Sequence, residues 1–233
     1  MAAEPLPAPS PPKFKLLLIT LATSTVNDTE ERSEAGKLTP ERVLAAAAHL
    51  FRIRGYSGTT TREIAAELGV TKATLYHHIG GKEDLLYNMS VASLEGIFTD
   101  VSRAIAMETD PLERLVVAIK THVKRMLTDL DNYAATVTEL RSLRGERAKH
   151  VQELRRRYDE LLRTVLRGAV EQGTIRDDID LKYLTLGLLN MLRGTLFWFN
   201  PAGDLSPEEL GDVLADMYLN GTLTDSGLAA RSA

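Results

Sequence analysis

Sequence signals typical of helix starts recur along this chain from residue 38 onward. At three predicted helix starts a residue that can cap the helix is followed directly by proline: Thr39-Pro40, Asp110-Pro111 and Ser206-Pro207. The polar side chain can cap the free amides of a first helical turn, and proline fits the first helical position because it has no amide hydrogen. Between these signals apolar residues recur at helical spacing, without strand-like alternation. The sequence therefore predicts an all-α protein with about nine helices.

Charge and cysteine content narrow the possible functions. The net charge of −4 at first argues against nucleic-acid binding. However, residues 37–90 hold seven Lys and Arg against five Asp and Glu, and DNA affinity needs only a few cations placed at phosphates. The chain contains no cysteine, which excludes disulfides, thiolate metal sites and a cysteine nucleophile. We expect a cytoplasmic protein.

Two apolar segments invite comparison with targeting or membrane segments. Residues 13–26 combine a charged start with an apolar run, but several prolines precede them and no clear small-residue cleavage site follows. We therefore predict that residues 1–37 are a disordered extension, with a loosely docked arm or short strand as the alternative. Residues 180–199 are strongly apolar, yet Lys182, Asn190 and Arg193 interrupt them, so no membrane span is predicted.

Residues 55–86, GYSGTTTREIAAELGVTKATLYHHIGGKEDLL, have the pattern of two short helices joined by a tight turn. Gly69 can supply the positive φ that the turn requires. Thr60 and Glu63 have the spacing of a capping box at the start of the first helix. The residues expected to pack the two helices together, and against a preceding helix, are apolar: Ile64, Ala65, Leu68, Val70 and Leu75. This packing leaves one face of the second helix free.

That free face has chemistry suited to the major groove of DNA. Lysine can donate to guanine O6 and N7, and threonine can hydrogen-bond bases or place its methyl group against thymine. By this chemistry the predicted base contacts are Thr71, Lys72 and Thr74. Tyrosine, histidine, free amides and hydroxyls can donate to phosphate oxygens and fix the register, and lysine adds a cation. The predicted phosphate contacts are Thr60, Thr61, Tyr76, His77 and Lys82.

The same segment resembles the DNA-binding domain of TetR-family transcriptional regulators. The matching elements are the Gly-Tyr after the first helix, TTTREIAAELGV, TKATLYHH and KEDLL. The resemblance implies a helix-turn-helix domain at residues 38–84 and adds Ala73 to the base-reading residues. It further implies a ligand-binding and dimerisation domain at residues 85–220, after which we predict a disordered tail at 221–233. Ile79, where the family usually has Phe, and Gly81, where it usually has a polar cap, depart from the pattern.

Dimerisation is expected because one helix-turn-helix contacts too little DNA for tight specific binding. The segments 180–199 and 206–219 are apolar on more than one side, as expected of helices that pack on their own subunit and on a partner. The family resemblance implies a homodimer through the same two helices. The alternative is that they form the core of a monomer.

The resemblance also implies a small-molecule pocket in the C-terminal domain, whose occupation weakens DNA binding. Candidate pocket residues are His122, Tyr133, Arg141, Arg193, Trp198 and Phe199. Each has a structural alternative, since the aromatic residues and the histidine also suit a core or dimer interface and the arginines also suit ion pairs.

Two further stretches are similar to the branch of the family that senses acyl-CoA thioesters of lipid or steroid catabolism. They are DPLERL and residues 171–210, EQGTIRDDIDLKYLTLGLLNMLRGTLFWFNPAGDLSPEEL. Arg193, on an otherwise apolar helix, fits a pocket mouth that binds phosphates, whereas a basic residue would have suited them better than Asn200. The predicted effector is a small hydrophobic molecule or an acyl-CoA; aromatic or drug-like effectors are the alternative.

Rival classes lack support in the sequence. There is no phosphate loop, paired catalytic carboxylate or nucleophile elbow, and the five histidines do not have metal-ligand spacing. We therefore predict that the protein is not an enzyme and that it has no cofactor and no metal site. An activator with the same fold remains an alternative to a repressor, because that distinction depends on where the operator lies.

Overall fold

Residues 38–232, which the computed structural model describes, are almost wholly helical. The helices are α1 Pro40–Arg54, α2 Thr61–Glu67, α3 Lys72–His78, α4 Lys82–Ala106, α5 Pro111–Thr128, α6 Leu130–Thr138, α7 Gly145–Glu171, α8 Leu181–Gly194, α9 Pro207–Asn220 and α10 Asp225–Ser232. Two short 3-10 helices, Leu140–Ser142 and Thr195–Phe197, accompany them. The predicted all-α class is confirmed, with ten α-helices in this part of the chain against about nine predicted.

All three proline-marked signals begin helices where the sequence predicts them. The Thr39 side chain accepts a hydrogen bond from the Arg42 amide at the start of α1 (3.3 Å). At α5, the Asp110 carboxylate accepts from the Glu113 amide (3.0 Å). At α9, Ser206 and Glu209 form a reciprocal capping box. Each cap satisfies amides that the first turn leaves without intrahelical partners.

One predicted helix has different bounds in the structure. The helix expected at residues 180–199 ends at Gly194 and tightens into a 3-10 turn, in which the Thr195 hydroxyl donates to the Leu192 carbonyl (2.7 Å). Local side-chain competition of this kind shortens helices without changing the fold. A 3-10 turn also follows α6, where the Ser142 amide donates to the Glu139 carbonyl (2.9 Å).

The prediction of a disordered tail is wrong for residues 225–232, which form α10. The Thr224 amide donates to the Thr174 carbonyl (3.0 Å), and the Arg176 amide donates to the Thr222 carbonyl (2.9 Å). The Thr224 hydroxyl also donates to the Gly173 carbonyl (2.6 Å). These bonds attach the tail to the turn between α7 and α8. Local composition could not reveal them, because the partners lie about fifty positions earlier in the chain.

The chain divides into two compact units, a head that ends at Leu85 and a body that begins at Leu86, so the division falls within α4. The head core is built from side chains of α1, α2 and α3 that are almost fully buried: Val43, Ala47, Phe51, Ile64 and Leu75. Gly69, in the turn between α2 and α3, has a φ of 68°, as the sequence predicts. The three short helices thus bury apolar surface that two could not.

The body is organised around α5, which packs against α7, α8 and α9. Fully buried residues of α5 include Leu115, Ile119 and Val123, at the spacing of one helix face. No helix between residues 38 and 232 is long and apolar enough to cross a bilayer. Residues 1–37, for which a disordered extension is predicted, lie outside the described part of the chain, as does Ala233.

Candidate DNA-binding surface and effector site

The outer face of α3 carries the predicted base contacts. Leu75 and Ile79 point inward and are at most 4% exposed. Lys72, Ala73 and His77 lie on the exposed side of the same seven-residue helix. A short helix therefore presents a polar surface on one side and a core contact on the other, as a recognition helix requires.

Thr71 and Thr74 are engaged with each other at the start of α3. Thr71 is the N-cap: its hydroxyl oxygen accepts from the Thr74 amide (3.1 Å) and lies 2.9 Å from the Thr74 hydroxyl. Thr71 is exposed, whereas Thr74 is half-buried. The pair therefore sets the start of the recognition helix, in addition to any contact that the hydroxyls make with bases.

The predicted phosphate contacts Thr61 and Tyr76 lie together, although fifteen positions separate them. The Thr61 hydroxyl is 3.3 Å from the Tyr76 hydroxyl, and 44% of Tyr76 is exposed. The Lys72 ammonium lies 5.4 Å from the Tyr76 ring centroid. Hydroxyls and a cation thus share one edge of the α3 face, which is the arrangement that positions a protein on a DNA backbone.

Thr60 serves mainly as a cap in this structure. Its hydroxyl accepts from the Glu63 amide, and the Glu63 carboxylate accepts from the Thr60 amide (2.8 Å), so the predicted capping box is present. Hydrogen bonds from Thr60 lower the pKa of Glu63. Arg54 lies 2.9 Å from the same carboxylate and links α1 to α2.

Lys82 occupies a position that the sequence does not predict. Its ammonium donates to the backbone carbonyls of Tyr56 (2.7 Å) and Thr59 (2.9 Å) and lies 4.1 Å from the Tyr56 ring centroid. The sequence predicts a cation facing phosphate. The structure instead directs this cation into the loop between α1 and α2.

Three of the six candidate effector residues meet in one buried polar cluster of the body: His122, Tyr133 and, at its edge, Arg193. His122 Nδ1 lies 2.6 Å from the Tyr158 hydroxyl, and His122 Nε2 lies 3.2 Å from the Tyr133 hydroxyl. His122, Tyr133 and Tyr158 are each at most 5% exposed. Burial, with a smaller contribution from Arg193, lowers the pKa of His122 to about 3, so the ring is neutral. Burial also raises the pKa of both tyrosines.

Arg193 joins this cluster at its edge. Its guanidinium lies 3.9 Å from the Asp159 carboxylate, and 22% of its side chain is exposed. Burial raises the pKa of Asp159, although the neighbouring Arg193 and Arg155 oppose that shift. Sequence reasoning missed Tyr158, Asp159 and Arg155, because α7 reads as a charged helix and only its packing shows which residues turn inward.

The structure does not bring the other three candidates to the cluster. Trp198 is 59% exposed, and Arg141 lies on the exposed side of a 3-10 turn. Phe199 is half-buried against the body core. The prediction for these three residues rests on residue type, which carries no information on the direction of a side chain.

A separate groove of about 360 Å³ lies between α4 and α7. The Arg157 guanidinium stacks 3.7 Å from the Phe98 ring centroid, and Arg156, Leu161 and Thr164 also line the groove. None of the six candidates lines it. The acidic side chains of Glu153 and Glu160 line the groove as well, and Glu153 accepts two hydrogen bonds from the Arg156 guanidinium (2.6 and 2.9 Å). Sequence spacing did not single out this mixture of apolar, basic and acidic side chains.

An apolar surface runs along α8 and α9. Tyr183 (63% exposed) and Leu186 (41%) lie on α8, and Val213 (42%) and Met217 (60%) lie on α9. At Gly187 and Gly194, also on α8, the position that a Cβ would take has no atom within 4 Å apart from the backbone of the same helix and the two neighbouring residues. Contiguous exposed apolar patches on a protein mark interaction sites, so these residues on two successive helices indicate an interaction surface.

Two family profiles match the chain. The profile described as "Bacterial regulatory proteins, tetR family" matches residues 43–89, and the one described as "Tetracyclin repressor-like, C-terminal domain" matches residues 108–222. The crystal structure of the TetR-family regulator PfmR from Thermus thermophilus is 33% identical, with a TM-score of 0.71 over 77% of this chain and 97% of that chain. The chain belongs to the TetR family. The predicted resemblance is thereby confirmed.

The chain is also similar to a transcriptional repressor and to a protein solved with an acyl-CoA and DNA. The transcriptional repressor KstR2 of Rhodococcus jostii is 29% identical over 189 residues, which is 81% of this chain and 90% of that protein. AibR, solved in complex with isovaleryl coenzyme A and operator DNA, is 29% identical with a TM-score of 0.68, over 76% of this chain and 96% of that chain.

Proposed function

We propose that this TetR-family protein is a cytoplasmic transcriptional repressor. It binds a pseudo-palindromic operator as a homodimer and leaves it when a small hydrophobic effector, an acyl-CoA thioester, binds the body. The observation that carries the DNA-binding part is the exposed polar face of α3, with Thr61 and Tyr76 side by side at its edge. The similarity to KstR2, a transcriptional repressor, supports repression rather than activation.

The apolar surface of α8 and α9 supports the homodimer. A monomer would leave Tyr183, Leu186, Val213 and Met217 in water, whereas a twofold-related copy would cover them. Glycine at positions 187 and 194 favours close approach of a partner helix, since packing within the subunit does not call for it. Because each head reads one half-site, a dimer doubles the contact with DNA.

One feature of the body and one similar protein support an acyl-CoA effector. The open groove beside Phe98 has a volume of about 360 Å³ and places Phe98 and Leu161 next to the Arg157 guanidinium, while its second arginine, Arg156, is paired with Glu153. Guanidinium groups suit phosphates because they donate in a planar fork. The named ligand of AibR, isovaleryl coenzyme A, belongs to the same chemical class.

Gel-shift titration against DNA from upstream of its own gene tests the DNA-binding proposal. We expect a shift at low salt and its progressive loss as salt rises, since phosphate contacts release counterions. Absence of any shift at low salt would contradict the proposal.

The effector is tested on the same protein–DNA complex. Medium- and long-chain acyl-CoA should release the DNA, whereas the free acids and free coenzyme A should not. A thermal-shift screen with the same compounds and with aromatic drugs should show stabilisation by the acyl-CoA alone. Release by an aromatic compound and not by acyl-CoA would refute this effector class and leave DNA binding intact.

A further inference from the structure

The first residue of α4 is tied to the loop between α1 and α2. The Lys82 ammonium has three N–H groups, and two of them donate to the carbonyls of Tyr56 and Thr59 at 2.7 and 2.9 Å. The ammonium also lies over the Tyr56 ring, 4.1 Å from its centroid. These three partners surround the charge on the side that faces the loop, and the side chain is only half-exposed.

This arrangement gives a physical reason for a lysine at this position. A cation in the first turn of a helix is unfavourable, because the helix dipole places partial positive charge there. Here the side chain bends away from α4, and its charge is balanced by two carbonyl oxygens and an aromatic face. Hydrogen bonds to a charged donor are stronger than neutral ones, so the contact holds the loop firmly.

The loop that Lys82 contacts is followed directly in the chain by residues predicted to contact the DNA backbone. Thr59 is fully buried, and its hydroxyl donates to the carbonyls of Leu50 (3.2 Å) and Gly55 (2.9 Å), at the end of α1. Thr60 and Thr61 follow at once, and the Thr61 hydroxyl lies 3.3 Å from that of Tyr76 on α3. A shift of the Thr59 carbonyl would therefore displace Thr61 and, through it, Tyr76.

We propose that Lys82 is a positioning residue for DNA binding and not a phosphate contact: its ammonium ties the start of α4 to the Tyr56 and Thr59 carbonyls and so places Thr61 and Tyr76 against the backbone. The inference rests on the proposed DNA-binding function.

The salt dependence of DNA binding separates the two roles of Lys82. The test compares wild type, Lys82→Met, which removes the charge and the donors, and Lys82→Gln, which removes the charge but keeps two N–H groups on a side chain one atom shorter. Lys149→Met, which removes an exposed, ion-paired lysine of α7, is the matched control. Operator affinity is measured by anisotropy at several salt concentrations, with the active fraction fixed by stoichiometric titration.

A positioning role predicts that Lys82→Met weakens binding about tenfold, equal to ~1.4 kcal/mol, with an unchanged slope of log K against log salt. Lys82→Gln should retain part of the lost affinity, and Lys149→Met should match wild type. A phosphate contact instead predicts that both Lys82 variants lower the slope by about 0.9 per subunit. That result, or unchanged affinity in Lys82→Met, would overturn the inference.

Hydrogen–deuterium exchange of the DNA-free protein provides a second readout. We expect Lys82→Met, or Lys82→Gln if the former does not fold, to raise amide exchange at residues 56–62 and not in α1. Equal increases throughout the head would indicate a general loss of stability and overturn the positioning role. Failure of wild type to bind any operator would overturn the proposed function as well, whereas a reduced slope in the variants would overturn this inference alone.

Discussion

The buried histidine of the body makes a quantitative prediction about pH. His122 is 1% exposed and sits between the hydroxyls of Tyr158 and Tyr133. Burial lowers its pKa from 6.5 to about 3 in the folded protein, whereas the unfolded chain keeps the ordinary value. Between these two values the unfolded state binds a proton that the folded state does not.

The sign and size of the effect follow from this difference. The stabilising contribution is lost as the pH falls through 6.5 toward 3, since protonation favours the unfolded chain. The loss approaches about 1.4 kcal/mol per pH unit below pH 6.5, where the unfolded histidine is half protonated, so the free energy of unfolding should fall by about 2.3 kcal/mol between pH 6.5 and 4.5 on account of His122.

Replacing His122 by Gln isolates this contribution. The amide can donate to one tyrosine hydroxyl and accept from the other, but it does not titrate. Urea unfolding, followed by circular dichroism at fixed protein concentration, should show the wild type losing about 2.3 kcal/mol more than His122→Gln between pH 6.5 and 4.5. Equal pH slopes, or a His122 resonance that titrates near pH 6.5 in the folded protein, would refute the reasoning.

Three further predictions concern the turn, the dimer surface and the recognition face. Gly69→Ala should lower the free energy of unfolding by about 1–2 kcal/mol in urea titrations, because φ is 68° and a Cβ meets nothing else; an unchanged value would show that the turn is not held there. Met217→Glu should convert the dimer to a folded monomer in sedimentation velocity, since it places a charge on the apolar α9 surface; a persisting dimer would move the interface elsewhere. Lys72→Ala should relax base preference in a binding-site selection, while Tyr76→Phe should weaken binding to all sequences alike; identical effects on preference would contradict the assignment of base and phosphate contacts.

Local signals explain why the helices of the head and most of the body were predictable. Thr39, Asp110 and Ser206 each cap the helix that the following proline begins. Gly69 adopts the positive φ that the turn demands. Such features depend on residues within a few positions of one another, so the sequence displays them directly.

The functional contacts of the body could not be predicted in the same way. The cluster of His122, Tyr133 and Tyr158 joins three helices across up to 36 positions. Trp198 has the residue type expected of a pocket but is 59% exposed. Lys82 has the charge expected of a phosphate contact, but its position depends on carbonyls 23 and 26 residues earlier. Residue type predicts which chemistry is available, and packing decides where it is used.

Binding to whole and half operators tests the central claim most directly. Once footprinting has located the protected site, affinity is measured for a duplex that contains both half-sites and for one in which a half-site is scrambled. Two heads on a dimer predict half-site centres about 10–10.5 base pairs apart, or a multiple of that, and binding at least ~100-fold tighter to the complete site. Equal affinity for the two duplexes would contradict the account of a dimer that reads DNA with the paired faces of α3.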